Sequence, residues 1–293
     1  MDLLILNGIV NGIIVGGIYA LVGVSLTLLY GVQRVVNFAH GEFVIGGSFL
    51  AYVLFQRFAL SPVLSLPVAA ACFFVFGWIA YWLLIPRLSR SDDPEAFSFL
   101  LMYGVSIALA ATMLLLFGAD TRSIDYTFEP ASVHIGALYI SVARLFALAV
   151  ALAVSGALAL FLFRTLPGKA LRAAIMNREA IQILGVDIVK LSAFSFALAS
   201  ALAGVTGVLV ALVFPAFNAF SGTEYTVIGF IVVVLGGLGN PLGALVAGVL
   251  YGLAEQLGAV FLPQAMAPIV GFGILVGAIM FRPAGLFGKT ARR

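Results

Sequence analysis

Residues 164–190 read RTLPGKALRAAIMNREAIQILGVDIVK, a polar stretch with a basic excess set between apolar segments at 138–163 and 191–214. It carries Arg164, Lys169, Arg172, Arg178 and Lys190 against Glu179 and Asp187, in a chain where only 9% of residues are charged. Two apolar runs of spanning length joined by a charged connector are the pattern of membrane helices returning to water. The same pattern continues outward on both sides. With 63% hydrophobic residues and a mean hydropathy of +1.19, the 293-residue chain is too apolar for a soluble domain. Its apolar runs extend for about 20 residues without polar alternation, which selects helices over a barrel. The fold class expected is an all-α polytopic membrane protein, one transmembrane domain over residues 1–293.

Apolar segments lie at 5–30, 38–57, 62–86, 97–117, 138–163, 191–214, 225–237, 242–262 and 266–282. At about 17–25 residues per span this predicts eight or nine crossings, since 38–57 and 225–237 are short or interrupted by glycine. Lys and Arg collect in the 164–190 loop, at Arg87 and Arg90, and in the tail at Arg282, Lys289, Arg292 and Arg293, whereas Asp120 to Glu129 is net acidic. Basic connectors stay on the cytoplasmic side. Nine crossings then put the N-terminus outside, the C-terminus inside and the 118–138 loop on the outer face, where Val133 to Tyr139 around Gly136 suggest a short hairpin. The net charge of +3 is absorbed by this topology, so nucleic acid is not an expected partner. The start, MDLLILNGIV, has no Lys or Arg before Arg34 and is read as a span, not a cleaved signal. Cys72, the single cysteine, sits in an apolar run, which excludes a disulfide framework or thiol metal site.

Two segments share an irregularity. Asn37-Phe38-Ala39-His40-Gly41-Glu42 precedes Gly46-Gly47 in the first half, and Gly236-Gly237-Leu238-Gly239-Asn240-Pro241 stands in the second. Interrupted segments at comparable places of two halves point to an inverted repeat with broken helices beside a translocation path, the halves meeting near 130–160. Asn37, His40, Glu42, Gly236, Gly237, Gly239 and Asn240 are therefore candidate path residues. Glu255 joins them, because an ionisable group about a dozen residues into a span is costly enough to mark function. His40 and Glu42 are expected near the inner boundary and Glu224 near the outer one. Glu255 should face the bundle, with Tyr251 and Gln256 as hydrogen-bonding neighbours. Asn37 is expected to cap a helix beginning at Phe38, accepting from Ala39 or His40. Small residues such as Gly12, Gly16, Gly248 and Gly252 predict close helix packing.

Catalysis finds no support. H-E-x-x-H, G-x-S-x-G and Cys/His clusters are absent, and His40 and His134 are the only histidines. Residues 283–290, PAGLFGKT, end like a phosphate loop but lack its first glycine and its strand-to-helix setting. No cofactor is expected on this chain, and any ATP and Mg would be used by another subunit.

Within the 164–190 loop, Pro167-Gly168 should end the preceding span and Lys169 to Met176 should form a short helix. Asn177 should cap a second helix, with Glu179 at the positive end of its dipole and Ala180, Ile181 and Leu184 on its apolar side. Gly185 should end it in a left-handed conformation.

GKALRAAIMNREAIQILGVD resembles the cytoplasmic coupling loop of branched-chain amino acid ABC importer permeases, and the likeness extends to GVQRVVNFAHGEF, VLGGLGNPLGALVAG and RPAGLFG. The chain is identified on these motifs as similar to the LivH-type member of the permease pair. The likeness implies a permease domain in a bacterial inner membrane working by alternating access. Its implied partners are a second, LivM-like permease, two ATPase subunits and a periplasmic substrate-binding protein. Gly168, Lys169, Arg172, Asn177, Arg178, Glu179, Ala180, Leu184 and Gly185 would be the coupling residues. The stretch departs from many relatives in lacking an acidic residue near Asn177. Branched-chain amino acids are the substrate implied, with urea, amides or aromatic acids as alternatives within the family. A stand-alone ion-coupled transporter is the rival of another class.

Overall fold

The computed structural model describes residues 2–88, 93–126, 128, 130–135, 138–214, 216–263, 266–282 and 285–287. Arg90, the turn at Gly136, and Pro283, Ala284 and Gly288 to Arg293, including the GKT, lie outside the described residues. Among those described, eleven helices and one hairpin follow in order: α1 (Asp2–Gln33), α2 (His40–Phe58), α3 (Pro62–Leu88), α4 (Pro94–Phe117), β1 (Ser132–Ile135), β2 (Leu138–Ser141), α5 (Val142–Arg164), α6 (Leu166–Met176), α7 (Arg178–Ile183), α8 (Ile188–Val213), α9 (Gly222–Gly236), α10 (Pro241–Phe261) and α11 (Ala267–Phe281). Each of the nine apolar segments of the sequence contains a helix, although 138–163 begins with strand β2. Six helices, α1, α3, α4, α5, α8 and α10, are long and apolar enough to cross a membrane.

The most apolar windows of α1 and α8 are 94% and 89% buried, against 22%, 11% and 22% for α3, α4 and α5. The first two are therefore central, and the others turn most of their surface outward. Lipid tails supply no hydrophobic drive between helices, so the centre is assembled by close backbone approach. Gly12 and Gly16 of α1 lie against the backbones of Leu253 and Val249 in α10, and Gly248 and Gly252 of α10 lie against Ala20 and Gly16. Across α2 and α8, Gly207 leaves room for the Val44 carbonyl, and Ser48 Oγ donates to the Gly207 carbonyl at 2.7 Å.

The chain does not enter α2 at the end of α1. Arg34 turns into the left-handed region, φ 54°, and its N–H still closes on the Tyr30 carbonyl at 2.7 Å. Residues 34–39 then run without helix back alongside α1. His40 meets Ser25, eight residues before Gln33, which at 1.5 Å per residue is about 12 Å inside the end of α1. The α2 helix is thus a broken element that starts in the interior.

On the opposite face β1 and β2 pair antiparallel, Ser132 with Ser141 through Ile135 with Leu138. Arg122 bridges to Phe217, with backbone bonds of 2.8 and 3.0 Å. That bridge ties the 118–138 loop to the α8–α9 connection.

Candidate functional site

Asn37, His40 and Glu42 are brought together at the start of α2, where α1, α4 and α9 converge. All three are buried, His40 and Asn37 completely. This corrects the expected position near a boundary: sequence distance from Arg34 suggests the surface, but the non-helical 34–39 segment carries them inward. The capping reading is corrected as well. Asn37 Oδ1 accepts from the Ala39 N–H at 3.0 Å, yet the helix begins at His40 with Ala39 as its uncapped first boundary residue. Asn37 closes a turn ahead of the helix.

Ser25 Oγ donates to the Val22 carbonyl at 2.9 Å, so the 2.7 Å contact with His40 is satisfied when imidazole Nε2–H donates to Ser25 Oγ. Glu42 Oε1 accepts from the Ser106 hydroxyl of α4 at 3.2 Å, and its carboxylate lies on Gly222 at the start of α9. A Cβ at Gly222 would occupy the space of that carboxylate. The two short helices are locked by Thr226: the Gly41 N–H donates to Thr226 Oγ1 at 2.9 Å, and Thr226 Oγ1 donates to the Phe38 carbonyl at 3.1 Å. Three buried polar atoms here have no protein partner among the described residues: Asn37 Nδ2, His40 Nδ1 and Glu42 Oε2. Glu42 also borders a cavity of about 370 Å³ whose other walls are mainly Phe43, Phe49, Phe73, Phe76 and Met113.

The remaining path candidates lie elsewhere. Glu255 is buried; the hydroxyl of Tyr19 of α1 donates to its Oε2 at 2.8 Å, and Gln256 is a second side-chain hydrogen-bond partner, as expected. Its near neighbour Tyr251 instead packs edge-on against Tyr19, centroids 5.5 Å apart. Glu224 is exposed. Gly236, Gly237, Gly239 and Asn240 form the turn between α9 and α10, about 22 Å from the start of α9 by helical rise. Asn240 caps α10 by accepting from the Gly243 N–H at 3.1 Å, and Gly237 and Gly239 hold the positive φ values of the turn.

The 164–190 loop folds as a helix, cap, helix, stop unit. Its first helix starts earlier than the expected Lys169, because Thr165 Oγ1 accepts from the Gly168 N–H at 3.1 Å and Pro167 fits the first turn, where no N–H is needed. Gly168 lies against the Phe161 carbonyl, so α6 crosses the last turn of α5 at backbone contact. Leu171 and Ala174 are buried, and Ile175 sits over Gly31 of α1 and Gly239 of the α9–α10 turn. Asn177 Oδ1 accepts from the N–H groups of Glu179 and Ala180 at 3.1 and 3.0 Å. Gly185, φ 81°, closes α7 with its N–H on Gln182 and that of Val186 on Ile181, the paired bonds of a Schellman stop. The expected apolar side is divided: Ile181 is buried, but Leu184 is 80% exposed, as are Ile183 at 86% and Met176 at 78%.

Asp187 caps α8, accepting from the Val189 and Lys190 N–H groups at 3.0 and 3.1 Å, and pairs with Lys190 Nζ at 3.4 Å. The Lys190 backbone N–H is the largest influence holding its carboxyl below the usual aspartate range. Sequence reading noted Asp187 only as a charge. It overlooked Ser25, Ser106, Thr226 and Tyr19, whose one sequence signal is a polar side chain within an apolar run. No group of three or more His, Cys, Asp or Glu arranged for a metal occurs among the described residues.

Helices that begin inside a membrane bundle around unpartnered polar atoms, with a rigid basic element at one end, define a multi-pass membrane transport protein. Residues 8–281 match the family model described as branched-chain amino acid transport system, permease component, and the chain belongs to that family. It is 29% identical to the high-affinity branched-chain amino acid transport system permease protein BraD of Pseudomonas aeruginosa, over 97% of this chain and 96% of the relative. Identity to the corresponding LivH protein of Escherichia coli K12 is 26%, covering 95% and 94%. A probable LivM permease of Methanocaldococcus jannaschii is 33% identical over 41% of this chain and 39% of its own. No solved structure matches the chain.

Proposed function

We propose that this chain is one permease subunit of an ATP-binding-cassette importer for branched-chain amino acids in a bacterial inner membrane. It would pair with a second, LivM-like permease and work with two ATPase subunits and a periplasmic binding protein, the ATPases supplying ATP and Mg chemistry. The observation that carries this reading is the α6–α7 unit, where Met176, Ile183 and Leu184 are held out to water by caps at both ends of α7. Large exposed apolar side chains on a short, rigid, basic element suit a docking knob for a soluble partner. Ile175 would pass its displacement to α1 and the α9–α10 turn, biasing two arrangements of the bundle.

The buried cluster suits the substrate. Glu42, the one member of the cluster that borders the aromatic cavity, is an acceptor for an ammonium group, and the cavity is large enough for an aliphatic side chain, whereas Asn37 Nδ2 and His40 Nδ1 are buried behind it and would need the helices to part before meeting a substrate. Urea and amides offer no charge for Glu42, and an aromatic acid would meet it with the wrong sign. An inverted repeat is supported by α2 and α9, two short helices whose N-terminal turns meet in the interior. Counting α2, α9 and α11 with the six longer helices gives the nine-crossing topology, N-terminus outside and C-terminus cytoplasmic.

Leu184→Cys should form disulfide or bifunctional cross-links to the ATPase subunit in the assembled transporter, in a yield that changes when ATP binds. Absence of that cross-link, with Met176→Cys equally silent, would exclude docking through this element.

A further inference from the structure

A second cavity of about 370 Å³ lies where α5 ends, α6 turns and α10 begins. Among the described residues, Lys169 and Arg172 are its only charged lining residues, and no carboxylate borders it. Neither cation has a carboxylate within 4.0 Å among the described residues. The Arg172 guanidinium is stacked over Phe163, 4.1 Å from the ring centroid, and its Nε is buried without a hydrogen-bond partner among the described residues. The stack fixes a planar donor beside the cavity. The deeper wall is apolar, with Leu158, Leu162 and Leu245.

Away from Arg164 the cavity is flanked, at membrane depth, by exposed side chains of α5 and α10 that lipid or a second membrane subunit can reach. These are Leu152 and Leu160 of α5 and Val246 and Leu250 of α10, within helices that span the membrane. A soluble subunit cannot reach them, and an inorganic anion gains nothing from leucine walls. The occupant that fits is negative at one end and apolar at the other. We propose that this cavity holds an anionic phospholipid of the leaflet on the Arg164 side, its phosphate between Lys169 and Arg172 and its upper acyl chain against Leu158, Leu162 and Leu245. Basic recesses between membrane helices bind such headgroups by the same chemistry.

The test uses the assembled transporter in detergent, with native mass spectrometry to count retained phospholipid and a melting curve recorded as phosphatidylglycerol or phosphatidylcholine of identical chains is added. The wild type should retain and be stabilised by phosphatidylglycerol in preference. Each neutralised cation removes about 5-fold in affinity, from about 1 kcal/mol per basic residue, so Lys169→Gln with Arg172→Gln should lose about 30-fold. Ala159→Leu, which keeps both charges and fills the apolar wall, should also lower retention. If the double variant does not assemble, Ala159→Leu and a wild-type preference that weakens with added salt carry the test. The proposal is overturned by equal retention of the two lipids, by a double variant that binds phosphatidylglycerol like wild type, or by glycerol phosphate stabilising as well as the intact lipid. Pairing of both cations with partner carboxylates in the assembly would also overturn it.

Discussion

Gly185 is the residue at which a small change should separate folding from coupling. Its φ of 81° is a conformation that a side chain disfavours, and no atom of the described residues lies within 4 Å of where a Cβ would stand. A substitution therefore strains only the backbone. Placing a Cβ in the left-handed region costs about 1–2 kcal/mol, toward the upper end for a β-branched residue. The Schellman stop is one of two caps on the six-residue α7, and loss of its two bonds releases Ile183 and Leu184 from fixed positions. Since about 1.4 kcal/mol is tenfold in population, Gly185→Val should reduce coupled uptake roughly 5- to 30-fold. Asparagine tolerates the same backbone region, so Gly185→Asn should restore most of the rate. The assay is ATP-dependent uptake in proteoliposomes containing the full transporter, normalised to inserted permease. Wild-type uptake by the valine variant, or an asparagine variant as poor as valine, would refute the reasoning.

Gly207→Ala should lower the melting temperature in detergent through about 1–3 kcal/mol of overpacking, because the added methyl meets the Val44 carbonyl, which cannot rotate away; an unchanged melt would mean that α2 and α8 separate freely. Tyr19→Phe should cost about 1–3 kcal/mol by leaving buried Glu255 short of a donor, and Glu255→Gln in the same chain should add less than its separate effect, as a double-mutant cycle will show. Asp187 has its folded pKa below the unfolded value, so its contribution to stability is present above the ordinary aspartate pKa and fades as pH falls through the folded one. Asp187→Asn should accordingly be less stable than wild type at neutral pH, with the difference closing below about pH 4, measured by denaturation at a series of pH values.

Much of the architecture was legible because it depends on local chemistry. Each of the nine apolar runs coincides with one of the eleven described helices, and Asn177 and Gly185 announced the two ends of α7 because a cap and a left-handed stop are properties of a few adjacent residues. The depth of His40 and Glu42 was not legible. It depends on residues 34–39 running back along α1 instead of across the surface, a path set by packing against α1, α4 and α9. The Tyr19–Glu255 pair joins residues from opposite ends of the chain, which no local pattern reveals. Leu184 illustrates the limit of periodicity: its spacing from Ile181 assigns both to one apolar side, but Leu184 is the C-terminal boundary residue of α7 and departs from the helical face.

The backbone contact between α1 and α10 also sets a timetable for synthesis. The glycine groove of α1 leaves the ribosome roughly 240 residues before its mate, a delay of about 12–48 s at ordinary elongation rates. During that interval Gly12 and Gly16 must be covered by lipid, by the insertion machinery or by a temporary neighbour. The centre of the molecule is thus among the last parts to close, and a ribosome stalled before α10 would leave an open seam for quality-control proteases to find.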